Sequence, residues 1–467
     1  MAEIETGALH NGAGAEHPAT GKDSREPCFR VLVTGGLGFV GSAIVRALQQ
    51  HHPEWIVCIL DVENGPGESL QDEYDELDLL RSCSYEYVQA DITDFNVVMR
   101  VFDRVRPDAV VHTAGIVPPL RERYSRRMES VVKRVNVMGT RHVVEAARSV
   151  ECRAFVYTSS CCAVVDDMTK PYPNIDERWP TPKKSSIYGE SKIEAEKIVL
   201  AANRSHISPE KVVVCDGESS SAMLTCVLRP SVIFGEGDHQ LTPSLHACIA
   251  KGESRFIVGD GCNLWDATYV GNVADAHVLA LANLLGVGSR REEPQADMNE
   301  QLPEIGGNGV PSAAGETFFI QNNEPISFRD FSLAVWKEFG HYPPWLEIRI
   351  PEGLGWILGL VAEVFTRISG TPTTLSRGSV MDAVAMRYAS GDKASRILGY
   401  HPRTGLEVGI RKSCRVSNVT CLHSHLLVFC KAATRIWPQE QVLTKCNVIQ
   451  DYARRLEKGR RLRAHDD

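Results

Sequence analysis

The chain has 467 residues, 43% hydrophobic and 24% charged, with a formal net charge of -8. That length exceeds one ordinary domain and suits two with a large core, and the acidic balance argues against a nucleic-acid partner. The 14 cysteines are scattered with no CxxC pair, which argues against a disulfide framework and a zinc site and for reduced thiols in a cytosolic compartment.

Residues 1–27 are rich in Gly, Ala, Glu and His, lack an apolar stretch and are expected to form a disordered leader. From there to residue 235 short apolar runs alternate with helical patterns. Phe29–Thr34 (FRVLVT) reads as a strand, followed by a glycine turn and an amphipathic helix over Gly41–Gln50. Trp55–Asp61, Tyr85–Gln89 and Ala109–Thr113 read as the next three strands, and Val131–Ser149 as a long helix. Ala154–Ser159 is a fifth strand, Tyr188–Ala202 a helix by its apolar spacing, and Met223–Arg229 a sixth strand. This rhythm predicts parallel βαβ units in an α/β, doubly wound Rossmann sheet, and the unbroken apolar strands predict helices on both faces.

After Pro230 the pattern loosens. A smaller, mostly helical substrate-binding region is expected over 236–415, with 265–285 and 315–322 packing back on the core. Ser289–Gly315 reads as a long loop, Thr317–Gln321 as a strand and Ser327–Phe339 as a helix. Leu354–Ile368 (LGWILGLVAEVFTRI) is too short to span a bilayer and carries Glu363 and Arg367. It reads as a buried core helix, or else as a helix lying in a membrane surface or lining the mouth of a lipophilic pocket.

Thr34–Gly41 (TGGLGFVG) places glycines at 35, 38 and 41 between an apolar strand and a helix, the context that gives a glycine motif meaning. Gly35 permits the turn, Gly38 lets the backbone approach a pyrophosphate, and Gly41 allows close helix–strand packing. The helix start at Phe39 and Val40 meets the anion. Asp61 ends the second strand 20 residues after Gly41; a carboxylate there binds ribose hydroxyls and repels a 2′-phosphate, so NAD is expected over NADP. Asp91 and Ile92 follow the third strand and are candidates to frame the adenine, Ala114 and Gly115 follow the fourth, and Pro230 and Val232 follow the sixth, near the nicotinamide amide.

Tyr188 and Lys192 (YGESK) stand four residues apart and share a helix face. An ammonium one turn away favours phenolate, and a phenolate can take the proton of a substrate hydroxyl as hydride leaves the same carbon. Lys192 also reaches toward the nicotinamide ribose. Ser160 is the candidate to hold the substrate oxygen, with Ser159, also placed beside the cofactor, as the alternative. Asn136 is a weaker candidate for positioning the cofactor through a backbone or water contact.

Taken together, TGGLGFVG, the ILD strand end, HTAG, VYTSS, YGESK, RPSVIFGEGD and YVGNVADAHVLA resemble the extended short-chain dehydrogenases. Within them the chain is similar to the 3β-hydroxysteroid dehydrogenase family and its fungal sterol-4α-carboxylate 3-dehydrogenase (decarboxylating) subgroup. The similarity runs from about Phe29 to Ser413 and includes GETFFIQNNEPISFRDFSLAVWKEFGH. The resemblance implies NAD-dependent oxidation of a 3β-hydroxyl on a sterol or triterpenoid, with loss of a C4 carboxylate as CO2. It also implies a lipophilic polycyclic substrate, peripheral contact with the cytosolic face of the endoplasmic reticulum and a homodimer as a candidate assembly. Rival readings are a non-decarboxylating 3β-hydroxy dehydrogenase of a terpenoid pathway, a nucleotide-sugar epimerase, and a cofactor-binding regulator without turnover. The pattern is interrupted at Ser205–Ser221 and breaks after Arg415; residues 416–436 read either as a retained intron or as a divergent helix in a divergent 416–467 tail.

Overall fold

The structure, a computed structural model, describes residues 28–63, 85–123, 126–165, 170–182, 185–203, 223–287, 312–370 and 375–415. The expected leader, the 205–221 insertion, most of the 289–315 loop and the 416–467 tail lie outside the described residues.

The apolar runs of the first half become β1 (Arg30–Thr34), β2 (Ile56–Asp61), β3 (Glu86–Gln89), β4 (Ala109–His112) and β5 (Ala154–Thr158). A short strand, β6 (Tyr172–Ile175), lies apart from them, and β7 (Leu224–Pro230) completes the series. With β12 (Thr317–Ile320) they form a seven-stranded sheet in the order β12-β7-β5-β4-β1-β2-β3. Every pairing is parallel, for example Val33 opposite Ile59 and Val111, and Leu228 opposite Thr158 and Phe318. The strands are buried because helices cover both faces. Phe39–His51 and Val270–Leu285 pack on one side, while Phe95–Val105, Thr140–Ser149 and Ile187–Ala201 pack on the other. The sequence boundaries shift by a residue or two. The long helix begins at Glu129 and contains a π-helical segment, Arg134–Gly139.

The C-terminal region is mostly helical, with small sheets between its helices. β8 (Val232–Phe234) pairs with β11 (Ala267–Tyr269), and β9 (Phe256–Val258) with β14 (Ile348–Ile350). β13 (Ile326–Ser327), β10 (Leu264–Trp265) and β15 (Arg387–Ala389) join β6 in a four-stranded sheet. These crossings bring Leu241–Ala250, Phe328–Glu338 and Arg377–Val384 over the carboxyl ends of the main sheet, where a cleft opens in doubly wound folds.

Glu352–Ser369 corrects the reading of a buried core helix. Only Gly355 and Gly359 are buried, while Leu354, Trp356, Ile357, Val361, Phe365 and Ile368 are exposed. The glycines lie one turn apart on the packed face, and a Cβ at Gly359 would stand 2.8 Å from the Ser376 carbonyl carbon. Glu363 anchors the same face by accepting from the backbone N–H and guanidinium of Arg377 at 2.9–3.1 Å. The remaining faces carry the apolar side chains outward.

Candidate active site

Gly35, at the end of β1, has φ +69°, a region that favours glycine. A Cβ on Gly41 would stand 2.0 Å from the Gly35 carbonyl oxygen, so the turn and the first helical turn can close on each other only without a side chain. The helix Phe39–His51 starts at Gly38 with no side-chain cap and no acidic residue in its first turn, which leaves its positive end facing the cleft. Asp61, 8% exposed, accepts from the backbone N–H of Leu37 at 3.0 Å and of Glu63 at 3.2 Å. Its carboxylate thus ties the glycine turn to the end of β2.

Gly35, Gly38, Phe39, Val40, Gly41, Asp61, Asp91, Ile92, Ala114, Gly115, Ser159, Ser160, Tyr188, Lys192, Pro230 and Val232 all line one cleft of about 1920 Å³. One arm follows the glycine turn and the ends of β1–β4. The other runs under the C-terminal helices and is walled by Leu241, Leu245, Trp265, Trp336, Ile350, Leu358 and Val380. Tyr188, Ser160 and Lys192 line the same cleft as both groups of residues. The donors and the turn fit an adenine dinucleotide, and the lining under the C-terminal helices is largely apolar.

The helix Ile187–Ala201, which carries Tyr188 and Lys192, is capped by Ser186, whose side chain accepts from the Gly189 N–H at 3.0 Å. Burial raises the Tyr188 phenol well above its ordinary value, and a Cys162 thiolate adds to that rise, while Arg123 and a hydrogen bond with Ser160 pull it down. Ser160 also accepts from the Cys162 N–H at 3.3 Å. Lys192 donates to the Thr158 carbonyl at 2.8 Å and stands 5.7 Å from the Tyr188 ring centroid. Burial lowers its pKa to about 8 against the opposing pull of Glu196. Ser159 is committed elsewhere: its hydroxyl donates to Glu196 at 2.5 Å, so only Ser160 presents a hydroxyl near the phenol.

Two features escaped the sequence reading, and a third, Asn136, was placed differently. Glu196, one turn beyond Lys192 on the same face, is buried and takes two bonds from Arg229 at 2.7–2.8 Å. Its signal was the spacing Tyr188, Lys192, Glu196. Arg123, 5.9 Å from the centroid of the Tyr188 ring, meets Asp382 and Arg387 from a distant segment of the chain, and no spacing ties it to them. Asn136 does not line the cleft: it accepts from the Ile116 N–H at 2.8 Å and donates to the Ile116 carbonyl and Ser191 Oγ at 3.0 Å, so it props the Gly115 segment directly rather than through water.

A parallel sheet ending in a glycine turn, an acidic residue after β2 and a Tyr–Lys pair beside a Ser defines a dinucleotide-dependent short-chain dehydrogenase of the extended type. The model of the 3-beta hydroxysteroid dehydrogenase/isomerase family matches residues 32–348, and the chain belongs to that family. It is an oxidoreductase of that type, and NAD is its cofactor. The decarboxylating sterol-4-alpha-carboxylate 3-dehydrogenase of Candida albicans is 31% identical over 382 residues, 81% of this chain and 95% of that protein. The 3 beta-hydroxysteroid dehydrogenase/Delta 5-->4-isomerase of Mycobacterium tuberculosis is 30% identical over 80% of this chain and 86% of that one. Among solved structures, dTDP-glucose 4,6-dehydratase from Bacillus anthracis in complex with NAD superposes with a TM-score of 0.56 over 84% of this chain and 97% of that one; at 16% identity it shows the fold alone.

Proposed function

We propose that the protein oxidises the 3β-hydroxyl of a sterol or triterpenoid bearing a C4 carboxylate, and that the product loses CO2. The observation that carries this reading is that Tyr188, Ser160 and Lys192 line one cleft with the glycine turn and with the apolar residues Leu241, Leu245, Trp265 and Trp336. Asp61 holds the adenosine ribose hydroxyls, the positive end of Phe39–His51 takes the pyrophosphate, and Pro230 and Val232 border the nicotinamide. When bound, NAD accepts hydride from the carbinol carbon. Ser160 holds the substrate oxygen, and the Tyr188 phenolate takes the hydroxyl proton. Lys192, fixed by Thr158, keeps positive charge beside the phenol. The new C3 ketone makes the substrate a β-keto acid. The C4–carboxyl bond then breaks, its electron pair passes to the C3 oxygen as an enolate, and a proton later returns to C4.

The apolar arm opens under the helix Glu352–Ser369, where Leu358 is 39% exposed and also lines the cleft. No helix among the described residues is long and apolar enough to cross a membrane. The outward apolar face instead favours a seat in the surface of a bilayer, from which a polycycle passes into the cleft. On the endoplasmic reticulum this would be its cytosolic face. Similarity to the Mycobacterium tuberculosis dehydrogenase/isomerase favours one second reading, oxidation without loss of CO2 in a terpenoid pathway. Incubating the purified protein with NAD and 4-carboxy and 4-methyl sterols and triterpenes, followed by mass spectrometry, separates the two. A decarboxylated ketone from the 4-carboxy substrate is expected; turnover of none of them contradicts the proposal.

A further inference from the structure

Two adjacent cysteines line the cleft together with Tyr188, and neither takes part in the oxidation proposed above. Cys161 and Cys162 open a short 3₁₀ turn, Cys161–Ala163, directly after Ser160. They are 9% and 8% exposed. The turn is pinned on both sides. The Ser160 hydroxyl accepts from the Cys162 N–H at 3.3 Å. The Cys162 carbonyl oxygen lies against the first turn of the helix Ile187–Ala201, where a Cβ on Gly189 would stand 2.5 Å from it. Both cysteines thereby belong to one packed cluster with Tyr188, Val164 and Phe319.

Apolar burial ordinarily raises a thiol and makes it inert. Cys152 and Cys414 are pushed up to about 12 in this way, and Cys248, on the same cleft, to about 11. Cys162 is shifted the other way. The hydrogen bond from the Cys161 thiol is the main cause, and Arg123, Arg387 and the Ser160 hydroxyl add to it against burial. Both guanidiniums keep their pairing with Asp382 while doing so. Cys161, raised in turn, is the donor. The thiolate is the nucleophilic form of cysteine, and this one follows directly on Ser160, which with Tyr188 is read above as meeting the substrate oxygen.

We infer that Cys162 is a covalent modification site for α,β-unsaturated ketones carried on an apolar polycycle, with Cys161 the residue that activates it. The inference rests on the proposed placement of the substrate oxygen at Ser160 and Tyr188. An enone bound there by its oxygen carries its β-carbon two bonds from the carbonyl carbon, against the wall that Cys162 shares with Ser160. The Cys162 sulfur forms a bond to that carbon. The alkene π pair moves through the carbonyl carbon to oxygen, where the Ser160 and Tyr188 hydroxyls stabilise the enolate. A proton from water then reaches the α-carbon, and the adduct is a saturated ketone joined through a thioether. No oxidant or reductant is consumed. The adduct occupies the substrate side of the cleft and leaves the glycine turn open to NAD.

The test incubates the reduced full-length protein with a 5α-sterol 1-en-3-one or with its saturated 3-ketone, and reads adducts by peptide mass mapping of every cysteine. The enone is expected on Cys162 before the exposed Cys28 and Cys262 or the cleft residue Cys248 react, with no adduct from the saturated ketone. Cys162→Ser should stay unlabelled while binding NAD. Cys161→Ala should slow labelling at Cys162 by about tenfold or more, the worth of a hydrogen bond to a charged group. Tyr188→Phe should slow it by at least about tenfold, because one donor to the enolate is gone. Labelling that starts at Cys28, Cys248 or Cys262, or an unchanged rate in Cys161→Ala, overturns the inference, and the wild-type map reads the first of these even if Cys162→Ser misfolds. An unlabelled Cys162 in a protein that oxidises the 4-carboxy sterol overturns the inference alone and leaves the proposed function standing. An unchanged rate in Tyr188→Phe overturns the shared placement of the substrate oxygen, and both readings with it.

Discussion

Tyr188 is a poor base while burial holds its phenol up against the pull of Arg123 and Ser160, and Lys192, lowered to about 8 by burial, is the neighbouring group that titrates within reach of neutral pH. Of the two, Lys192 is the first to lose a proton, near that value. Below it both groups hold their protons and no base stands ready for the substrate hydroxyl. In the NAD complex kcat/KM for alcohol oxidation should therefore rise about tenfold per pH unit and level off no higher than about pH 8. Lys192→Arg should move that limb upward, because a guanidinium does not titrate there. A pH–rate profile checks both, and a flat profile from about pH 6 to 9 would contradict the pairing. At Asp61, replacement by Ser removes the carboxylate that repels a 2′-phosphate, and the preference for NAD over NADP should fall by at least about tenfold in kcat/KM. These residues were legible because their chemistry depends on local spacing, a turn followed by a helix or two positions on one face. Arg123, Asp382 and Arg387 were not, because chain crossings separated by more than 250 residues bring them together. Ser160 was read ahead of Ser159, and the physical reason for that order, the buried Glu196 that takes the Ser159 hydroxyl, is not carried by any spacing in the sequence.

Among the elements, the helix Ile187–Ala201 is fixed from behind by the Glu196–Arg229 pair, whose side chains are 4% and 6% exposed. Removing one partner strands the other charge in the core. Arg229→Met is expected to cost about 3–5 kcal/mol in denaturant unfolding, and the double replacement Glu196→Leu/Arg229→Met should recover much of it. Equal costs for the single and double variants would show that the pair does not act as a unit. The helix Glu352–Ser369 shows the limit of reading elements from composition. An apolar run says that side chains avoid water but not what covers them. Here Gly355, Gly359 and Glu363 turn inward and the large apolar residues turn out. If a bilayer covers them, Ile357→Asp/Phe365→Asp should weaken co-sedimentation with phospholipid vesicles by at least about tenfold, since each side chain contributes about 1.5–3 kcal/mol when buried. NAD binding should not change. Undiminished vesicle binding would contradict the membrane seat.

At the level of the whole molecule, the alternation of strands and helices foretold the parallel sheet, because a right-handed crossover between parallel strands leaves few other solutions. The return of Thr317–Ile320 to pair with β7 places the far half of the chain over the near half, and that closure makes one cleft of two arms. The small sheets of the C-terminal region were not legible, for their strands run only two to four residues and carry no period of their own. The central claim is that one cleft couples oxidation at Tyr188 to a carboxylated polycycle. Its most direct measurement uses a 4α-carboxy-3β-hydroxysterol labelled with deuterium at C3, followed for transfer of the label to NAD and for release of CO2. Wild type should give one labelled NADH for each CO2, and Tyr188→Phe should give neither while still binding NAD. Release of CO2 without label transfer, or turnover by Tyr188→Phe, would contradict the account.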